Sequence, residues 1–158
     1  MQENVRQNNE RSVVYMCFST DILHSGHIAI IKKAQQLGNL IIGALSDEAI
    51  ASYRHFPMVP FAERKSLFEN IEGVYKVIEQ KQWGYKEVLR ELKPEYLVHG
   101  DDWKEGFQKP IREEAIKVLE EYGGKLVEFP YSRDAKYDEL EKTFRERLAT
   151  PDMRRGRL

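Results

Sequence analysis

The chain has 158 residues, enough for one domain with a single good core. Its 25 lysines and arginines against 26 acidic residues give a formal net charge of −1, which excludes the broad basic field that nucleic-acid binding uses. The one cysteine, Cys17, excludes an internal disulfide and suits a reducing cytoplasm, where the protein is expected, and no apolar run approaches the length of a membrane span.

Residues 1–11 are polar and lack the apolar core of a signal peptide, so they read as a disordered lead-in to a domain over 12–148. Val13 to Phe18 is an apolar run suited to a central strand buried on both faces, with Cys17 as a small core residue. A helical pattern begins near Gly26, carried by Ile28, Ile31, Ala34 and Leu37, with Gly38 as its stop. Between strand and helix lies Thr20-Asp21-Ile22-Leu23-His24-Ser25-Gly26-His27. A strand turning tightly into a helix aims the helix's unpaired N–H groups and its positive dipole end at whatever sits above the turn. His24 and His27 share one face of the first helical turn, and Gly26 between them removes a Cβ, letting a ligand approach the backbone. Such a corner suits an anion that gains charge during a reaction. For the histidines, capping, surface exposure and a metal pair are the competing readings; no third metal ligand of suitable spacing is evident.

Leu40 to Leu45 reads as a second buried strand, and Ser46-Asp47 offers an N-cap for a short helix. Tyr53 to Pro60, with two prolines, is a loop that serves as a connector or a mobile lid. Phe61 to Ile71 is a helix, Val74 to Ile78 a third strand, Tyr85 to Leu92 a helix closed by Lys93-Pro94, and Glu95 to His99 a fourth strand. Gly100-Asp101-Asp102-Trp103 follows it, where the aspartates can hold Mg²⁺, accept from ribose hydroxyls or cap the next turn. Pro110 to Tyr122 is a helix with proline at its start and Gly123-Gly124 at its end. Leu126 to Phe129 is a fifth strand, and Leu140 to Leu148 suggests a last helix leading into a basic tail over 149–158. Strands alternating with helices predict an α/β, Rossmann-like open parallel sheet of five strands with helices on both faces, its site at the strand carboxyl ends.

Ser19 to Ile28 resembles the H-x-G-H signature of the cytidylyltransferase-like nucleotidyltransferases. Leu45-Ser46-Asp47-Glu48, Glu63-Arg64-Lys65 and Val98 to Trp103 recur in that family's order and spacing, so the likeness covers about residues 12–130. Lys93 to Trp103, Ala51-Ser52-Tyr53 and the string Ala149 to Arg155 are most similar to the phosphonate cytidylyltransferase domain fused to phosphoenolpyruvate mutase in the fosfomycin pathway.

The resemblance implies transfer of CMP from CTP to a small phosphonate, first 2-hydroxyethylphosphonate, with Mg²⁺ offsetting the triphosphate charge. Glycerol 3-phosphate or another phosphomonoester is the alternative acceptor; ATP as donor and a non-catalytic nucleotide sensor are further readings. By the same likeness His24, His27 and Arg54 are catalytic, and Ser19, Thr20, Asp21, Gly26, Arg64, Gly100, Asp101, Trp103, Ser132 and Arg133 bind nucleotide. A homodimer and a following mutase domain are expected partners; nucleic acid and membrane are not. Two departures stand out. Arg54, then His55, stands where relatives commonly carry lysine, and arginine is a planar fork rather than a point charge. Pro130 to Asp138 replaces a segment like R-T-x-G-I-S-T-T, leaving Arg133 and Lys136 either to supply direct charge or to form a solvated turn.

Overall fold

The computed structural model describes residues 11–54, 56–131 and 135–149. Five strands, β1 (Val13–Phe18), β2 (Asn39–Leu45), β3 (Val74–Gln80), β4 (Tyr96–Gly100) and β5 (Lys125–Phe129), form one sheet in the order β3-β2-β1-β4-β5. Every pairing is parallel, as the strand–helix alternation predicts. Between strands run α1 (Ser25–Gln35), α2 (Asp47–Ala51), α3 (Phe61–Glu69), α4 (Lys86–Leu92) and α5 (Lys109–Tyr122), and α6 (Ala135–Ala149) follows β5. Two 3₁₀ turns, Asp101–Trp103 and Gly106–Gln108, separate β4 from α5.

Period-two alternation divides the core. Val14, Met16 and Phe18 of β1 face Ile30 and Ile31 of α1 and Phe68 of α3. Tyr15 faces the other way, toward Leu89 of α4 and Val118 and Leu119 of α5. All seven residues of β2 are buried, as a strand covered on both faces and both edges must be. β3 exposes Tyr75, Lys76 and Glu79, consistent with an edge position.

Three boundaries depart from the sequence reading for identifiable reasons. β3 runs on to Gln80 because that side chain is buried: it accepts from the Tyr15 hydroxyl at 2.6 Å and donates to the carbonyls of Gln82 and Gly84 at 2.8 and 3.0 Å. α1 ends at Gln35, and Gly38 is not its cap; a Cβ there would lie 2.0 Å from the Ser12 carbonyl oxygen, so close chain packing explains the glycine. α6 begins at Ala135, five residues before the apolar pattern becomes visible at Leu140.

The order of strands also explains Gly43. Tyr15 on β1 reaches Gln80 on β3 only by passing over β2, and a Cβ on Gly43 would sit 1.9 Å from the Tyr15 hydroxyl. The phenol is rigid, buried and hydrogen-bonded, so it cannot give way cheaply. Gly43→Ala should therefore lower unfolding free energy by about 1–3 kcal/mol in a urea titration, against an ordinary strand preference for alanine over glycine.

Candidate active site

The corner between β1 and α1 is shaped by short-range hydrogen bonds. Thr20 Oγ1 accepts from the Ile22 N–H at 3.2 Å and donates to the Ile22 carbonyl at 2.8 Å, closing the turn. His24, in extended conformation, is the N-cap of α1. Its Nδ1 accepts the Gly26 N–H at 3.0 Å, and His27 Nδ1 accepts the His24 N–H at 3.2 Å. This is a reciprocal capping box in which imidazoles replace the usual hydroxyl and carboxamide.

The chemical consequence is direct. A neutral imidazole nitrogen that accepts a hydrogen bond carries no proton, so each ring bears its proton on Nε2. Both Nε2–H groups point to one place, the hydroxyl of Tyr131, at 3.3 Å from His24 and 3.2 Å from His27. The ring centroids lie 3.9 Å apart, with Phe18 edge-on to His27 at 5.7 Å and Tyr137 stacked on His24 at 4.3 Å. Capping, one of the readings left open in the sequence, occupies Nδ1 of each ring and leaves Nε2 facing the cavity. Gly26 has a different reason from the one expected. A Cβ there would lie 2.8 Å from His24 Cε1, so the glycine makes room for the ring, and its N–H goes to that ring rather than outward.

The imidazoles form one end of a cavity of about 220 Å³ at the strand carboxyl ends, across the β1–β4 switch point. Aromatic rings build the other end. Trp83 stacks on Tyr53 at 4.6 Å and on Phe107 at 5.9 Å; His99 lies flat on Trp103 at 3.7 Å. His99 Nδ1 is 2.8 Å from the Gly100 carbonyl, which can only accept, so the ring proton sits there and Nε2 is the acceptor. Burial lowers the His99 pKa, so its contact with Asp102 at 3.8 Å is not an ion pair at neutral pH. Trp103 is fully buried, and its Nε1–H has no hydrogen-bond partner among the described residues. Cys17 also lines the cavity, but burial pushes its thiol up to about 12, which rules out a ready nucleophile.

Of the residues singled out in the sequence, Ser19, Thr20, His24, His27, Arg54, Gly100 and Trp103 line this cavity. The others stand behind it. Asp21, its side chain 1% exposed, receives Arg145 of α6 at 2.6 Å and the Val59 N–H at 3.3 Å. Arg64, expected at the phosphates, is 1% exposed and donates to Asp47 at 2.6 Å and to the Val59 carbonyl at 2.9 Å. Asp101 Oδ1 accepts the Tyr131 N–H at 3.0 Å. Ser132, Arg133 and His55 lie outside the described residues, as does the Lys136 side chain. Among the described residues no group of three His, Cys, Asp or Glu could hold a metal ion. The sequence reading missed Tyr131, Tyr137, His99 and Trp83 as site residues. His99 belongs to the Val98 to Trp103 motif, Trp83 and Tyr131 are signalled only as aromatics just past strand ends, and nothing in spacing joins 131 to 24 and 27.

His99 supplies a pH test. Its folded pKa lies below the unfolded value near 6.5, so between those two values the unfolded chain binds more protons. Unfolding free energy should therefore fall as pH drops below about 6.5 and level off beyond the folded pKa. NMR titration should show the His99 ring changing charge below that of a free histidine, and His99→Asn should flatten the acid limb of the stability curve.

A Cytidylyltransferase-like family profile matches residues 17–140. Glycerol-3-phosphate cytidylyltransferase of Staphylococcus aureus (strain NCTC 8325 / PS 47) is 34% identical over 89 residues, 55% of this chain and 67% of that protein. Ethanolamine-phosphate cytidylyltransferase of Arabidopsis thaliana is 32% identical over 95 residues, 56% of this chain and 23% of that protein. The bifunctional protein HldE of Desulfatibacillum aliphaticivorans is 26% identical over 136 residues, 84% of this chain and 26% of that protein. The chain thus spans about a quarter of the length of the last two. The lipopolysaccharide core biosynthesis protein from Thermoplasma volcanium GSS1 shares the fold, with TM-score 0.66 at 22% identity over 77% of this chain and 98% of that one. With its parallel five-stranded sheet, its paired imidazoles at the β1–α1 corner and a family match over most of its length, the chain belongs to the cytidylyltransferase-like family.

Proposed function

We propose that the protein transfers CMP from CTP to a small acceptor bearing a phosphate or phosphonate group, releasing pyrophosphate. The observation that carries this reading is the convergence of two Nε2–H donors on one point at a helix N-terminus. An acceptor oxygen attacks the α-phosphorus, the bond from that phosphorus to the bridging oxygen breaks, and pyrophosphate leaves with the bonding electrons. Charge grows on the non-bridging oxygens as the phosphorus becomes five-coordinate, and donors fixed in advance stabilise it without reorganising.

The acceptor oxygen is already anionic at neutral pH, so the chemistry needs positioning and charge neutralisation rather than a base. Histidines that present N–H groups suit that need. Arg54, exposed at the cavity rim, can approach the outer phosphates. Mg²⁺ would arrive with the triphosphate and offset its charge; such an ion leans on substrate oxygens and waters, so the lack of a three-ligand cage among the described residues does not oppose it. The aromatic end of the cavity offers flat surfaces to a base or an acceptor.

For the acceptor, the likeness of Lys93 to Trp103 and of Ala51 to Tyr53 to the mutase-linked domains favours a phosphonate, first 2-hydroxyethylphosphonate. Glycerol 3-phosphate is the second reading, supported by the relative of that name at 34% identity. A pyrophosphate-release assay with CTP or ATP over a panel of phosphonates and phosphate esters tests all of this. Steady release with CTP and one acceptor class supports the enzyme; nucleotide binding without release under every acceptor indicates a sensor. His24→Ala and His27→Ala should each lower kcat by about 10²- to 10³-fold while the circular dichroism spectrum keeps its native form.

A further inference from the structure

Tyr131 occupies the place where the two catalytic donors meet. It follows Pro130 just past the end of β5, and its backbone N–H is held by Asp101 at 3.0 Å. Its side chain crosses β4 at Gly100, where a Cβ would lie 2.8 Å from Tyr131 Cβ, and the ring ends above Gly26, with a Cβ there 3.9 Å from Tyr131 Cε2. The phenol therefore reaches the corner by a route that Gly100 leaves open. Its oxygen receives the hydrogen bonds that, on the reading above, belong to a phosphoryl oxygen. Two oxygens cannot share a point about 3 Å from the same pair of donors.

We propose that the Tyr131 hydroxyl is a built-in occupant of the phosphoryl-oxygen position, and that a triphosphate binds by displacing it. This rests on the CTP reading and adds to it a residue that sets the affinity for phosphate. The backbone beside Asp101 stays pinned, so displacement is a swing of the side chain. A neutral phenol is a weak competitor for N–H donors, whereas an anionic oxygen forms a stronger, charge-assisted bond. The arrangement consequently keeps both imidazoles aligned in the absence of substrate and yields to anionic ligands while resisting neutral ones. Binding by displacement weakens the measured affinity by the fraction of time the position is occupied.

Tyr131→Phe removes the competing oxygen and keeps the ring. The probes are the α,β-methylene analogue of CTP, which cannot react, and CMP, which keeps the α-phosphate, with cytidine as the ligand lacking phosphate, all measured by calorimetry. The phenylalanine variant should bind the analogue and CMP roughly 2- to 10-fold more tightly, the scale of one modest hydrogen bond, and cytidine no differently. Equal or weaker binding of the analogue by the variant, with its melting temperature unchanged, overturns the proposal and makes Tyr131 a supporting or donating group. Failure of both proteins to bind the analogue overturns the CTP reading, and this proposal with it. A second variant, Tyr131→Leu, guards against a ring effect: it must also tighten binding, and weaker binding there with a native melting curve counts against displacement.

Discussion

Two backbone N–H groups, those of His24 and Gly26, decide which nitrogen of each imidazole faces the cavity. At the start of a helix these groups have no intrahelical acceptor and must find one. Here they find Nδ1 of His27 and Nδ1 of His24. The proton of each ring is thereby fixed on Nε2, and both rings are aimed before any substrate arrives. The helix dipole acts through the rings, since each of these amides polarises an imidazole whose far side faces the cavity. Gly26, Phe18 and the stacked Tyr137 serve the same placement by making room for the rings or holding them.

The charged residues behind the site have a related role. Val59 is gripped from both sides: its N–H by Asp21 and its carbonyl by Arg64. Asp21 in turn takes Arg145 from α6, and Arg64 takes Asp47 from the start of α2. One loop residue thus connects the β1–α1 corner, α2, α3 and α6. Buried ion pairs gain little net stability once desolvation is counted, so what these contribute is register. They fix the carboxyl side of the loop that carries Arg54, while Arg54 itself is at the exposed rim.

Much of this was legible in the sequence. The apolar runs of β1 and β2 and the helices between strands define the sheet, because a parallel strand buried on both faces needs continuous apolar residues. The corner at residues 20–27 is likewise a local feature, set by turn chemistry and a helix start. What sequence could not yield was contact between elements far apart. Arg64 and Asp21 lie in recognisable motifs, yet whether an arginine faces phosphate or an aspartate depends on partners 17 residues away for Arg64 and 124 for Asp21. Tyr131 reaches the histidines from more than a hundred residues away, across β4. Gly38 and Gly43 are glycines because of neighbours on other strands or segments, which no local rule reveals.

The central claim is that both imidazoles present Nε2–H to one point. Long-range ¹H–¹⁵N correlation spectra of the histidine rings, recorded where they are neutral, test it most directly. The account predicts unprotonated Nδ1 and protonated Nε2 in both His24 and His27, with both Nε2 resonances shifting together when the α,β-methylene analogue of CTP is added. A ring protonated at Nδ1, or an analogue that binds while leaving both Nε2 resonances unmoved, would contradict it.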